Sequence, residues 1–150
     1  TGSGWARGPG AATDIAVGAD GSLWVIGTHP VPGGYGIYRW TGAGWGNVAG
    51  GAVRIAVSPD GNPFVVNSAH QIFAWTGSGW ARGPGAATDI AVGGDGSLWV
   101  IGTHPVPGGY GIYRWTGTSW GNVAGGAVSI TVGPLGRPWV INSAHRIFAG

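Results

Sequence analysis

Residues 1 to 40 recur at 76 to 115 with a single change, Ala19 against Gly94, and residues 41 to 75 recur at 116 to 150 with eleven changes. No other feature constrains the fold so tightly, because a chain that repeats every 75 residues must build one structural unit and stack copies of it. A shorter period lies inside the long one. Thr1-Gly-Ser-Gly-Trp5 is echoed by Thr41-Gly-Ala-Gly-Trp45, and Asp14-Ile-Ala-Val17 by Arg54-Ile-Ala-Val57. The chain therefore divides into four units, 1–40, 41–75, 76–115 and 116–150, alternately 40 and 35 residues long.

Each unit spells four short strands. In the first, Trp5 opens a short strand expected to end near the breaker cluster Gly8-Pro9-Gly10, Ile15 to Val17 form a second, and Asp20-Gly21 marks a tight hairpin turn. Leu23 to Ile26 is a continuous apolar run suited to a sheet covered on both faces, and Gly36 to Trp40 returns after a loop holding Pro30 and Pro32. Four strands of about five residues with their turns fill about 37 residues, the size of one propeller blade. A lone blade cannot bury both faces, so its neighbours must cover it. The expected fold is an all-β propeller of four-stranded antiparallel blades, four per chain.

Composition supports this and removes alternatives. With 34 glycines, 10 prolines and 10 tryptophans among 150 residues, and no glutamate, lysine, cysteine or methionine, the chain cannot write helices laced by Glu–Lys pairs. Disulfides and thiolate metal sites are excluded, leaving apolar burial to hold the fold. The net charge of +2 comes from scattered arginines, too few to neutralise a row of phosphates, so nucleic acid is not an expected partner. The longest apolar runs are one strand long, so no membrane partner is expected either. No targeting leader precedes Thr1, and a soluble chain is expected.

The unit resembles the tectonin family: a Trp after a Gly-rich turn, then Ile-Ala-Val-Gly, Asp-Gly, Leu-Trp-Val-Ile and Ile-Tyr-Arg-Trp. Here these stand as Trp5, Ile15 to Gly18, Asp20-Gly21, Leu23 to Ile26 and Ile37 to Trp40, and again as Trp80, Ile90 to Gly93, Asp95-Gly96, Leu98 to Ile101 and Ile112 to Trp115. The short units depart from the pattern with Pro63-Phe64 and Pro138-Trp139, and the last ends in Gly150 where Trp stands elsewhere. The resemblance implies a propeller that serves either as a sugar-binding lectin or as a protein-interaction module.

Aromatic residues supply the apolar bulk of so small a blade, so Trp24, Phe64, Trp99 and Trp139, at equivalent positions, are assigned to the core. Trp5, Trp45, Trp80 and Trp120 follow turns and divide between blade packing and sugar stacking. Asp20, Asp60 and Asp95 belong to Asp-Gly turns, and Asp14 is expected to pair with Arg54 across a blade junction. Without Glu, and without a recurring Ser-His-Asp spacing, neither glycoside hydrolysis nor acyl transfer has its groups, so no enzyme activity is expected.

His29, His70, His104 and His145 fall at comparable loops, but equivalent positions on neighbouring blades stand about 10 Å apart, too far to share one metal ion. No metal or cofactor is expected. The loops do offer a binding face, with Arg7, His29 and Tyr35, their copies Arg82, His104 and Tyr110, and His70 and His145 as candidate ligand-binding residues.

The chain starts inside a blade, so the Trp5 strand should complete the sheet whose inner strands lie at 126 to 150. Four blades close one ring only at steep angles. Two copies would make an eight-bladed ring with twofold symmetry, so the expected partner is the chain itself, as a homodimer. Near-identical halves point to an engineered or recently amplified repeat, the eleven differences fitting amplification better, and to a self-assembling scaffold; the alternative reading is a carbohydrate-binding lectin with glycans as partners.

Overall fold

The computed structural model describes residues 4 to 150, which form fifteen strands and, among the described residues, no helix. In chain order these are β1 (Asp14–Val17), β2 (Leu23–Val31), β3 (Gly34–Trp40), β4 (Trp45–Ala52), β5 (Arg54–Val57), β6 (Pro63–Val66), β7 (Gln71–Trp75) and β8 (Trp80–Ala86), then β9 (Asp89–Val92), β10 (Leu98–Val106), β11 (Gly109–Trp115), β12 (Trp120–Ala127), β13 (Ser129–Val132), β14 (Pro138–Ile141) and β15 (Ile147–Ala149). Each of the first three groups of four strands is one antiparallel sheet in sequence order, and β13-β14-β15 make a fourth sheet of three. The four sheets are the blades of a propeller.

Local chemistry explains the hairpins. At the first turn Asp20 Oδ1 accepts hydrogen bonds from the Ser22 amide at 3.0 Å and the Ser22 hydroxyl at 2.7 Å, while Gly21 takes a left-handed φ of 87°. The next hairpin corrects the expected proline loop. β2 continues through His29 and Pro30 to Val31, pairing Pro30 with Tyr35 and Val31 with Gly34 around a tight Pro32-Gly33 turn. A register shift between Ile26 and Pro30 lets the strand accept the proline, which has no ladder N–H to donate.

Sheets and sequence units are offset, because the strand that opens each unit is the outer strand of the preceding blade. β8, which opens the third unit, closes the β5-β6-β7 sheet and, contrary to the expectation that it ends at the Gly-Pro-Gly cluster, continues through Gly83-Pro84-Gly85 to Ala86 across a register shift. The N-terminal copy of that strand behaves differently. Residues 4 to 13 carry no strand, and Trp5 stands fully exposed.

The inner strands β1, β5, β9 and β13 lie side by side around a cleft of about 560 Å³. Between successive blades lie three apolar clusters. Trp24, Ile26 and Ile37 meet Ile55, Val57 and Val65; Ala56, Val66 and Ile72 meet Ile90 and Val100; Ala91, Trp99, Ile101 and Ile112 meet Ile130. Of the four aromatics assigned to the core, Trp24 and Trp99 are buried and Phe64 is half-buried against the second cluster, but Trp139 is 50% exposed. The cause is positional: Trp139 lies on the face of the fourth blade that no later blade of the chain covers.

Candidate functional site

The chain's recurring chemistry sits at the junctions between blades. Asp14 ends its own strand register yet turns its carboxylate outward, so that Oδ2 accepts the Ile55 amide of the second blade at 2.9 Å. Asp89 repeats this one period later on the Ile130 amide at 2.9 Å and also accepts the Ile90 amide at 2.9 Å. Long blades thus clamp the blade that follows them. The short blades carry Arg54 and Ser129 at this position, a guanidinium that can only donate and a hydroxyl without the carboxylate's charge.

Arg54 does not take the role expected of it. Its guanidinium reaches forward to Asp89, Nε to Oδ1 3.9 Å, rather than back to Asp14, whose Oδ2 is turned to the Ile55 amide. Burial pushes the Asp89 carboxyl above its usual range, opposed by the Ile130 and Ile90 amides and by the Arg54 charge.

A second set of contacts ties the outer strands together. Trp40 and Trp45 face each other across β3 and β4 with ring centroids 5.0 Å apart at 65°, and Trp75–Trp80 and Trp115–Trp120 repeat the geometry at 4.9 and 5.0 Å. This edge-to-face arrangement fixes each indole and aims its Nε1 at the previous blade. Trp45 donates to the Pro9 carbonyl at 3.0 Å, Trp80 to the Ala49 carbonyl at 2.7 Å and Trp120 to the Pro84 carbonyl at 2.8 Å. These three tryptophans are blade staples, half-buried rather than open platforms.

The eight candidate ligand-binding residues do not converge. Arg7 lies in the strandless segment and Arg82 on β8, both exposed; His29 and His104 stand exposed on the arms of the long hairpins. Tyr35 and Tyr110 turn partly into the first and third apolar clusters. His70 and His145 hold left-handed backbone, φ 65° and 63°, in the turn that links the second and third strands of the short blades. Among the described residues no three His, Asp or Glu side chains gather in a way that could hold a metal ion.

One of the candidates, His104, lines a cleft together with Tyr113, which sequence spacing did not single out. Between the second and third blades, Gly85, Ala86, Val100, Gly102, Thr103, His104, Tyr113 and Trp120 enclose about 270 Å³. The Tyr113 ring lies so close over the backbone that a Cβ on Gly102 or Gly111 would come within 2.8 or 3.0 Å of it. Glycine at those two places is what admits the ring, and the pair of glycines flanking Tyr113 in register was the available signal.

Comparison with known proteins agrees with this architecture. The Tectonin domain family model matches residues 31–106, half of the chain. Among solved structures, one described as YCF48 bound to D1 peptide superposes with a TM-score of 0.55 at 15% identity, covering 93% of this chain and 50% of that one. The likeness is one of fold, and this chain spans half the length of that structure. A search of curated proteins finds no match.

Proposed function

The chain belongs to the tectonin domain family, and from that premise we propose that two copies of it complete one eight-bladed ring, a self-assembling propeller scaffold without catalytic chemistry. One observation carries the reading. Ile15 and Ile147 are 63% and 69% exposed, whereas their counterparts one period away, Ile90 and Ile72, are 4% and 3% exposed inside the cluster joining the second and third blades. The first and fourth blades thus present the two halves of a junction the chain already builds once. Val17, Trp139 and Ile141 extend the same two faces.

A second copy offers each face its complement in the register already used at the internal junction. Such a symmetric, closed assembly leaves no face unmatched. The five aspartates are committed to turns and strand clamps, which supports a scaffold rather than an enzyme. The near identity of residues 1–40 and 76–115 favours an engineered origin, because side chains in separate natural blades diverge independently. Multi-angle light scattering at low micromolar concentration tests the assembly: the expected mass is twice 15.0 kDa, and a stable particle of 15.0 kDa overturns it.

Carbohydrate binding is the second reading, favoured by the Tyr113–Trp120 cleft, where an aromatic ring backed by glycine offers a face for stacking. Titrating a panel of monosaccharides while following tryptophan fluorescence tests it. A saturable change that Tyr113→Ala abolishes supports the lectin, and silence across the panel removes it.

A further inference from the structure

Trp5 is the first copy of a residue that performs one job at every other occurrence. Trp45, Trp80 and Trp120 each open an outer strand and donate their indole Nε1 to a carbonyl one unit earlier, on β4 for Trp80, on β8 for Trp120 and in the strandless segment at Pro9 for Trp45. Each also lies against a left-handed glycine of the same segment: a Cβ on Gly10 would stand 3.0 Å from Trp45 Nε1, on Gly50 3.0 Å from Trp80 Nε1, and on Gly85 3.1 Å from Trp120 Nε1. Gly125, with φ 118°, is the fourth such glycine and follows Ala124 as Gly50 follows Ala49. Nothing but Ile112 Cδ1, at 3.6 Å, lies within reach of a Cβ there. Among the described residues, Trp5 thus meets no outer strand, and the strand at Gly125 meets no staple.

We propose that Trp5 is the intermolecular staple of the ring, its indole Nε1 donating to the Ala124 carbonyl of the partner subunit while the ring covers the partner's Gly125. This rests on the reading that two copies close one ring. The same period sets the rest of the seam. The internal sheet pairs Gln71 with Ala86, Phe73 with Arg82, Ala74 with Ala81 and Trp75 with Trp80. Moved by 75 residues, that register lays residues 5 to 11 as the fourth strand of the partner's β13-β14-β15 sheet, opposite Arg146, Phe148, Ala149 and Gly150. Two features already prepare the segment: it is identical in sequence to β8, and Trp45 holds it at Pro9 as Trp120 holds β8 at Pro84.

One element of the internal staple is missing from the seam. Trp80 stands edge-to-face with Trp75, whereas the position facing Trp5 is Gly150. The indole–carbonyl bond and the Gly125 contact therefore carry Trp5 alone. Restoring the aromatic partner by Gly150→Trp tightens the ring.

Sedimentation velocity on four chains tests this. The unsubstituted chain dimerises, and Ile147→Asp, placed on an exposed face, dissociates the dimer if the ring reading holds. Trp5→Ala then raises the dimer dissociation constant by about 30-fold, the scale of losing a tryptophan anchor, and Gly150→Trp lowers it by about 5-fold, the scale of one aromatic pair. Dimerisation lost in Ile147→Asp but unchanged in Trp5→Ala overturns the staple and leaves the ring standing. A monomeric unsubstituted chain, or a dimer indifferent to Ile147→Asp, overturns both. Trp5 is fully exposed in the free chain, so its removal costs no fold.

Discussion

His70 closes a turn whose backbone suits a different residue. Asn67 Oδ1 accepts the amides of Ala69 and Gln71, its side-chain amide donates to Gln71 Oε1 at 2.9 Å, and the chain is left at φ 65° on reaching His70. A residue with a Cβ pays about 1–2 kcal/mol in this region and glycine does not, so His70→Gly raises stability by about 1 kcal/mol, read as a higher urea midpoint. A fall would mean that the imidazole makes a contact worth more than the strain. Acid behaviour is set by the turn carboxylates. Hydrogen bonds from Ser22, Ser58 and Ser97 hold Asp20, Asp60 and Asp95 below the usual carboxylate value of 3.8. Their contribution is complete above that value and is lost as pH falls through the lower folded-state values. Asp89, raised by burial, works in the opposite sense, adding stability in acid that disappears as pH rises through its folded value. The triple variant Asp20→Asn, Asp60→Asn, Asp95→Asn should therefore show a flatter stability profile between pH 5 and pH 2 in urea titrations; an unchanged acid limb would place the sensitivity elsewhere. The turn role of these aspartates was readable in the Asp-Gly dipeptides. The strained histidines were not, because a left-handed residue that is neither Gly nor Asn leaves no mark in composition.

Between elements, the decisive bonds cross from blade to blade. Asp14→Ala strips the Ile55 amide of its acceptor at a half-buried junction, costing about 1–3 kcal/mol, whereas Asp14→Asn keeps an oxygen there and costs less. Equal losses from the two would show that the negative charge, not the bond, matters. Trp120→Phe keeps the ring against Trp115 and removes only the bond to Pro84, lowering stability by about 1 kcal/mol in denaturant melts. The strands themselves were legible from their apolar runs and from the Trp that opens each unit. The long hairpin arms were not: Pro30 and Pro32 read as loop, yet the register shift at Ile26 carries β2 past Pro30 to Val31. The Asp14 clamp escaped as well, for its acceptor serves an amide 41 residues away and sequence offers Arg54 as the more obvious partner.

At the scale of the molecule, the unequal repeat sets the symmetry of the proposed two-chain ring. Two blades, one long and one short, form the unit, so a ring of two chains carries the long hairpins on every second blade. In the proposed ring the closing junction has no counterpart of the Arg54–Asp89 pair between the second and third blades, since Ser129 stands one period after Arg54. In its place stand larger apolar side chains, Trp139 for Phe64 and Ile141 for Val66, on the face that a second copy would cover. The propeller and its blade count per chain were written in the 75-residue period. How far the arc bends was not, because the angle between blades is set by packing at junctions that the period leaves equivalent. The most direct test of ring closure is a crystal structure of the assembled particle. It should contain eight blades about a twofold axis, with Ile15 and Ile147 buried and Trp5 on Ala124 of the partner subunit. A closed ring of four blades, or copies joined through any other face, would contradict it.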